Sequence, residues 1–501
     1  MSGKERIVKD VLKFTSARSI TQGIGFFTAI ALRKFLGPFY MGIWSLLKVV
    51  LGYASHSTLI MNKGAAVKIP LHSGEGDREA EDNVKNIVFT FILVVSVLTS
   101  LALLIASVVL RQRYPVVVIV GLVALSFYMF LDNLCSFYQM LLRAKHNFSV
   151  LSKAIIFEAI INLTLIMLLV RKFELYGLYI TLIITALLNL IFMHLFAGYK
   201  VKLIIDKKKL LGLWEIFRTS IPIVLVSLLY WVLGTLDRIM IGKMIGIAFV
   251  GFYSIPVMTK AYVGQLSSFG TVLYPRLMEA YGEKKSAKEI EKYVIVPIRI
   301  NAYILPSVLG AVFFIVPLLV RKILPEYIPG ILAMQILLIG IFFETCRAQS
   351  FFFIIALKKQ AKVIPIAVIA IGLNVLGNYI LIKMGYGIYG VAAATAFVSF
   401  LSFLGIQIYA MRHFAMIKDI IGFLVEIIIP LIYTAVVALF LERFLATGNV
   451  YYDVICKSLG LTFSSVPLFL YIQKRTGIIS LLYGMFLQKI MPARGDNGKT
   501  L

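Results

Sequence analysis

Charge is scarce in this sequence. Only 15% of its 501 residues are Asp, Glu, Lys or Arg, against about a quarter in a soluble protein, which excludes a chain assembled from soluble domains. Cysteine is nearly absent. Cys135, Cys346 and Cys456 lie far apart without CxxC spacing, so neither a disulfide framework nor a cysteine metal site is expected. Five scattered histidines, His56 and His194 among them, make no zinc motif. The chain also lacks a G-x-S-x-G elbow and a DxD pair for a sugar nucleotide. Gly498-Lys-Thr500 has the ending of a phosphate loop, but the first glycine of that loop would fall on Ala493 and no strand precedes it. A non-enzyme without metal or cofactor is therefore expected.

Apolar length is what the chain has. Hydrophobic residues make up 60% of it and the mean hydropathy is +0.92, enough for roughly fourteen spans of about 20 residues. Fourteen helical spans are read at 15–36, 39–62, 87–110, 115–142, 148–170, 175–197, 217–236, 246–270, 294–320, 331–357, 361–382, 386–411, 419–441 and 452–472. Length and periodicity favour helices over barrel strands. The pieces 63–86 and 275–293 are the largest between spans, and the second is read as a solvated helix. The segment 478–491 is apolar but short and is expected at the interface. The first nineteen residues are basic and carry no cleavable signal pattern.

The net charge of +26 would suggest nucleic acid in a soluble protein. In a membrane chain it reads as basic loops facing anionic lipid, with no nucleic-acid partner. Placing the N-terminus inside assigns 32 Lys and Arg to inner segments and 13 to outer ones, with five inside spans. This asymmetry predicts a multi-pass protein of the cytoplasmic membrane with both termini inside.

The most informative feature is an internal repeat. Lys34-Phe-Leu-Gly-Pro-Phe-Tyr-Met-Gly-Ile-Trp-Ser45 aligns without gaps on Lys243-Met-Ile-Gly-Ile-Ala-Phe-Val-Gly-Phe-Tyr-Ser254, a shift of 209 residues. Phe130, Asp132 and Asn162 meet Phe342, Glu344 and Asn374 at a shift of 212, and Tyr176-Gly-Leu-Tyr179 meets Tyr386-Gly-Ile-Tyr389 at 210. Six spans per repeat is an even number, so the two halves enter the membrane from the same side, as in two-lobed carriers. The predicted divisions are 1–200, an N-lobe of six helices; 201–416, a C-lobe of six; and 417–501, two additional helices and a tail.

Two blocks carry a family resemblance. Asp237-Arg-Ile-Met-Ile-Gly-Lys243, followed by Gly246 and Val250-Gly-Phe-Tyr-Ser254, resembles the seventh-to-eighth-span signature of the polysaccharide biosynthesis and transport proteins. Asn374-Val-Leu-Gly-Asn-Tyr-Ile-Leu-Ile382, with Tyr386-Gly-Ile-Tyr-Gly-Val-Ala-Ala-Ala-Thr395, resembles their eleventh-to-twelfth-span signature. These are the oligosaccharide flippases of the multidrug/oligosaccharidyl-lipid/polysaccharide exporter superfamily. The resemblance implies an all-α membrane protein with a V-shaped pair of six-helix lobes. It also implies export of a polyprenyl-pyrophosphate-linked oligosaccharide to the outer leaflet by alternating access. The two additional spans are similar to the lipid II flippase arrangement. The implied partners are the lipid-linked substrate, membrane lipids and glycan-assembly enzymes. A cation-coupled multidrug exporter of the same superfamily is the alternative; a membrane glycan polymerase or ligase is disfavoured by the short outer loops.

Candidate site residues follow from the price of intramembrane charge, about 2.5–3.5 kcal/mol per cation on insertion scales. Arg18, Lys48, Lys260, Arg299 and Arg347 are the candidate substrate-binding cations. Snorkelling to an interface is the competing reading, strongest for Arg18 and Arg299. Glu344 and Arg347, three apart, share a helical face and are able to pair. Asp132, Glu158 and Glu344 are candidates for a coupling proton or sodium ion, whereas Glu426 reads as a local helix-packing or lipid-interface group.

Overall fold

The computed structural model describes residues 3–204, 212–266, 287–357, 359–445 and 449–477. Among the described residues the chain is helical and carries no strand. The helices are α1 (Gly3–Glu75), α2 (Arg78–Val109), α3 (Val116–Ala144), α4 (Phe148–Leu165) and α5 (Arg171–Ala197). They continue as α6 (Gly212–Met244), α7 (Ile247–Leu266), α8 (Ala287–Ile323), α9 (Gly330–Ala356) and α10 (Ile364–Lys383). The last three are α11 (Gly387–Met411), α12 (Ile417–Phe444) and α13 (Val450–Thr476). A π-helical turn, Ile166–Val170, joins α4 to α5 without a loop.

Twelve membrane-length apolar helices are present among the described residues. Two of them are far too long for one crossing. Lys13–Glu75 has 63 residues and Phe148–Ala197 has 50, about 95 and 75 Å of helix against a core of about 30 Å. Each breaks where the sequence reading placed a loop. Gly37 has φ 63 and ψ 173, and Glu174 has φ 49 and ψ −127, both outside the helical region. Counting the pieces separately gives about fourteen among the described residues, close to the number read from the sequence.

Helices run past the ends of the apolar spans. The piece 63–86 between the second and third spans is largely helical: α1 runs on to Glu75 and α2 begins at Arg78, with Asp77 accepting a hydrogen bond from the Ala80 amide at 2.9 Å as its cap. Polar residues end a hydropathy window without ending a helix. The solvated helix expected within 275–293 lies largely outside the described residues, since α8 is described only from Ala287, and segment 478–491 lies wholly outside them.

Packing follows membrane logic. On α2 the stripe Val94, Leu98, Leu101, Ile105 and Val108 is exposed, whereas Ser96 and Ser107 are buried. Small polar residues face protein and large apolar ones face outward, as a lipid solvent requires.

Two compact units result. Unit 1 comprises Met1–Met258, Ile323–Gly330 and Ala361–Val391, so that α6, the start of α7 and α10 pack with the first five helices. Its core includes Met61, Ile69, Val88, Ile92, Phe137, Leu141 and Leu151. Unit 2 comprises Thr259–Lys322, Ile331–Gln360 and Ala392–Leu501. There α13 packs on α8 through stacked Tyr303 and Tyr471 rings, 5.2 Å apart, and α9 meets α11 closely at Gly340 and Ala396.

Candidate functional site

In unit 1, Lys48 lies eleven residues beyond the break at Gly37, about 16 Å along the helix and so near mid-membrane depth. Its side chain is exposed, with Nζ 5.8 Å from the Trp44 ring centroid one turn earlier. The charges of Arg33 and Arg238 act on it. Arg33 is fixed: Nε donates to Ser254 Oγ at 3.1 Å, Nη2 to the Ser254 carbonyl at 2.9 Å and Nη1 to the Ala29 carbonyl at 2.9 Å. Arg238 is held only loosely, by Nη2 donating to the Gly234 carbonyl at 3.3 Å, and its buried Nε has no partner. Neither Lys48 nor Arg238 has a carboxylate within ion-pair distance among the described residues.

Arg238 was missed by the sequence reading. That reading closed the seventh span at 236 and counted Arg238 with an outer loop, but α6 continues to Met244. The available signal was the Asp237-Arg238 block itself.

The other predicted cations have different surroundings. Arg18 is exposed on the first limb of α1, about 28 Å from the break at Gly37, with its charge acting on Arg143. In unit 2, Lys260 Nζ lies 2.8 Å from Glu344 Oε1, which also accepts from Ser399 Oγ at 3.1 Å. Glu344 is thus paired across helices by Lys260; Arg347, the partner expected from spacing, adds its charge to the same carboxylate. Arg299 forms a two-point pair with Glu426, Nε to Oε1 at 2.8 Å and Nη2 to Oε2 at 2.9 Å, and lies 5.6 Å from the Phe423 ring. That pair fastens α8 to α12.

Two acids come together in unit 1. Asp132 on α3 accepts from Tyr128 Oη at 3.1 Å, and Glu158 on α4 accepts from Asn189 Nδ2 at 2.6 Å. Both line a cavity of about 40 Å³ with Asn162, Thr185 and Asn189, and Glu158 feels the charge of Asp132. Two buried acceptors in that lining, Asn189 Oδ1 and Thr185 Oγ1, have no hydrogen-bond partner.

The two signature blocks also meet. Asp237 Oδ2 accepts from Tyr253 Oη at 2.8 Å and Oδ1 from Asn378 Nδ2 at 3.2 Å, while Asn378 donates to Asn374 Oδ1 at 3.0 Å. This buried network joins α6, α7 and α10. Residues recognised only as parts of two sequence signatures therefore form one structural knot.

The sequence profile described as "Polysaccharide biosynthesis protein" matches residues 7–281, more than half of the chain. The chain belongs to the polysaccharide biosynthesis protein family. A search among curated proteins finds no match to this member of the family. Its fold resembles solved transporters. The lipid II flippase MurJ in an inward closed conformation is 15% identical, over 92% of this chain and 99% of that one, with a TM-score of 0.71. A multidrug resistance MATE family transporter of the MOP superfamily, inward-facing, is 15% identical over 80% and 96% of the two chains, with a TM-score of 0.65. A MOP superfamily transporter from Pyrococcus furiosus is 16% identical over 81% and 94%, with a TM-score of 0.53. These likenesses place this family member in the two-lobed, all-α transporter fold as a multi-pass membrane protein.

Proposed function

We propose that the protein moves a polyprenyl-pyrophosphate-linked oligosaccharide from the inner to the outer leaflet by alternating access, without cleaving or extending it. The observation that carries this reading is the pair Lys48 and Arg238, two cations at membrane depth without a carboxylate partner among the described residues. Each unpaired cation opposes insertion by up to about 2.5–3.5 kcal/mol, and together they repel a cationic drug. A pyrophosphate head offsets that charge and satisfies the free guanidinium donors. Lys260, Arg347 and Arg299 would meet the same headgroup only by exchanging an internal carboxylate for it, and Arg18 would meet it at the inner end. The lobes 1–200 and 201–416 are proposed as the moving bodies, with 417–501 attached, membrane lipids and glycan-assembly enzymes as partners, and both termini in the cytoplasm.

The acid cavity supports ion coupling, and on its own it would favour the multidrug alternative. Its two carboxylates, with the amide and hydroxyl oxygens beside them, and its size suit one small ion or a proton. Ion coupling and lipid-linked cargo are compatible, and Lys48 with Arg238 supports the lipid-linked cargo over the cationic drug.

Purified protein in vesicles should move a polyprenyl-pyrophosphate oligosaccharide between leaflets. Lys48→Gln and Arg238→Gln should each slow this about 10- to 100-fold, and Lys48→Arg should lose less, with unchanged membrane levels in all three. Full flipping by a well-expressed double variant, or ion-driven export of small cations in place of flipping, would overturn the proposal.

A further inference from the structure

The internal repeat closes on itself. Pro38 and Gly42 in the first repeat correspond to Ile247 and Gly251 in the second at the shift of 209. A Cβ on Gly42 would overlap the carbonyl of Ile247, and a Cβ on Gly251 would overlap the carbonyl of Pro38. Each repeat thus offers its glycine to the backbone of the other's matching residue, a reciprocal contact related by two-fold symmetry within unit 1. The preceding glycines correspond as well, and both have positive φ, 63° at Gly37 and 141° at Gly246. They turn the chain so that two helix starts, one in α1 and one in α7, meet backbone to backbone.

The contact is locked by groups outside the symmetry. Arg33 bonds Ser254 through Oγ and the carbonyl, and its own carbonyl accepts from Tyr327 Oη at 3.1 Å. Tyr327 is almost wholly buried. A Cβ on Gly330 would overlap the Phe252 carbonyl, so the turn after α8 is seated on α7 as tightly. The repeat counterpart of Arg33 is Gly242, where packing on Leu46 stands in place of the charge. All of this lies at the end of the helices that the charge count assigns to the outside.

We propose that residues 37–45 and 246–254 form a symmetric clasp that closes the outer end of the transport path, and that the closed state requires glycine at both 42 and 251. A two-fold contact opens as one unit, because separating the repeats breaks both glycine contacts together. Glycine is needed because nothing larger lets two backbones approach so closely. The clasp rests on the transporter fold and the repeat, not on the identity of the cargo.

The test places a cysteine at Ser45, a buried position about 12 Å below the break at Gly37. Intact cells are treated with an impermeant thiol reagent, and the chain without Ser45→Cys supplies the background from its native cysteines. Ser45→Cys alone should be protected. Gly42→Val and Gly251→Val should each raise labelling roughly tenfold by shifting the population to the open state. Gly372→Val, whose Cβ meets open space, should not. Should either valine variant fail to reach the membrane, Gly42→Ala and Gly251→Ala should show the same paired rise at smaller size. Fast labelling of Ser45→Cys alone would overturn the clasp. So would a rise from one glycine without the other, or no rise from either.

Discussion

The two compact units handle charge in the membrane in opposite ways. Unit 2 neutralises it: Lys260 sits on Glu344 and Arg299 on Glu426, each at 2.8 Å. In unit 1, Lys48 and Arg238 lie on α1 and α6 while Asp132 and Glu158 lie on α3 and α4, and none of the four has an ion-pair partner among the described residues. An ion pair buried in low dielectric holds helices together, whereas a charge left without a counter-charge raises the energy of the empty protein and lowers it when an opposite charge arrives. Unit 2 charges therefore act as fasteners. In unit 1, Lys48 and Arg238 are the charges proposed to meet an anion, and Asp132 and Glu158 those proposed to meet a small cation or proton.

Breaking a fastener should have the largest effect. Arg299→Met leaves Glu426 uncompensated beside Phe423 and should destabilise the protein by about 3–5 kcal/mol, seen as low membrane levels and early thermal unfolding. The double variant Arg299→Met, Glu426→Leu should restore most of that loss. A double variant as unstable as the single one would give the pair a role beyond fastening.

Lys260 sharpens the comparison with a smaller effect. Its pair with Glu344 is partly accessible, so Lys260→Gln should destabilise by about 1–3 kcal/mol. Glu344→Gln should do the same but free Lys260 and Arg347 together. Transport per folded molecule should then change less in either variant than in Lys48→Gln. Equal loss in both units would erase the distinction drawn here between them.

The smallest effect belongs to the acid cavity. Sodium at constant ionic strength should raise the melting temperature of the purified protein by a few degrees over potassium, through preferential binding to the native state. Asp132→Asn and Glu158→Gln should each abolish the difference. The sign with pH is set by competition: a protonated carboxylate gives up its cation, so the sodium effect should fade on acidification. A sodium effect that survives both substitutions would move the ion elsewhere.

The candidate site was legible in the sequence only in part. Lys48, Asp132 and Glu158 stood out because a charge inside an apolar run is visible at any position. Arg238 did not, because it lies near a helix end where a hydropathy window has already closed. Glu426 was read as a helix-packing or lipid-interface group, and its two-point pair with Arg299 agrees with packing, but nothing local named that partner.

The sequence by itself determined the apolar spans, the breaks near Gly37 and Glu174, and the repeat that matches Gly42 to Gly251. These depend on composition and spacing along one segment, since a span is a local run long enough to cross lipid. Tertiary structure alone decided the partners. Arg299 and Glu426 are 127 residues apart, Lys260 and Glu344 are 84 apart, and Asp237 and Asn378 are 141 apart. Whether an intramembrane charge is a fastener or a ligand site depends on which side chain stands across from it. That is set by how helices distant in sequence pack, and no local pattern encodes it.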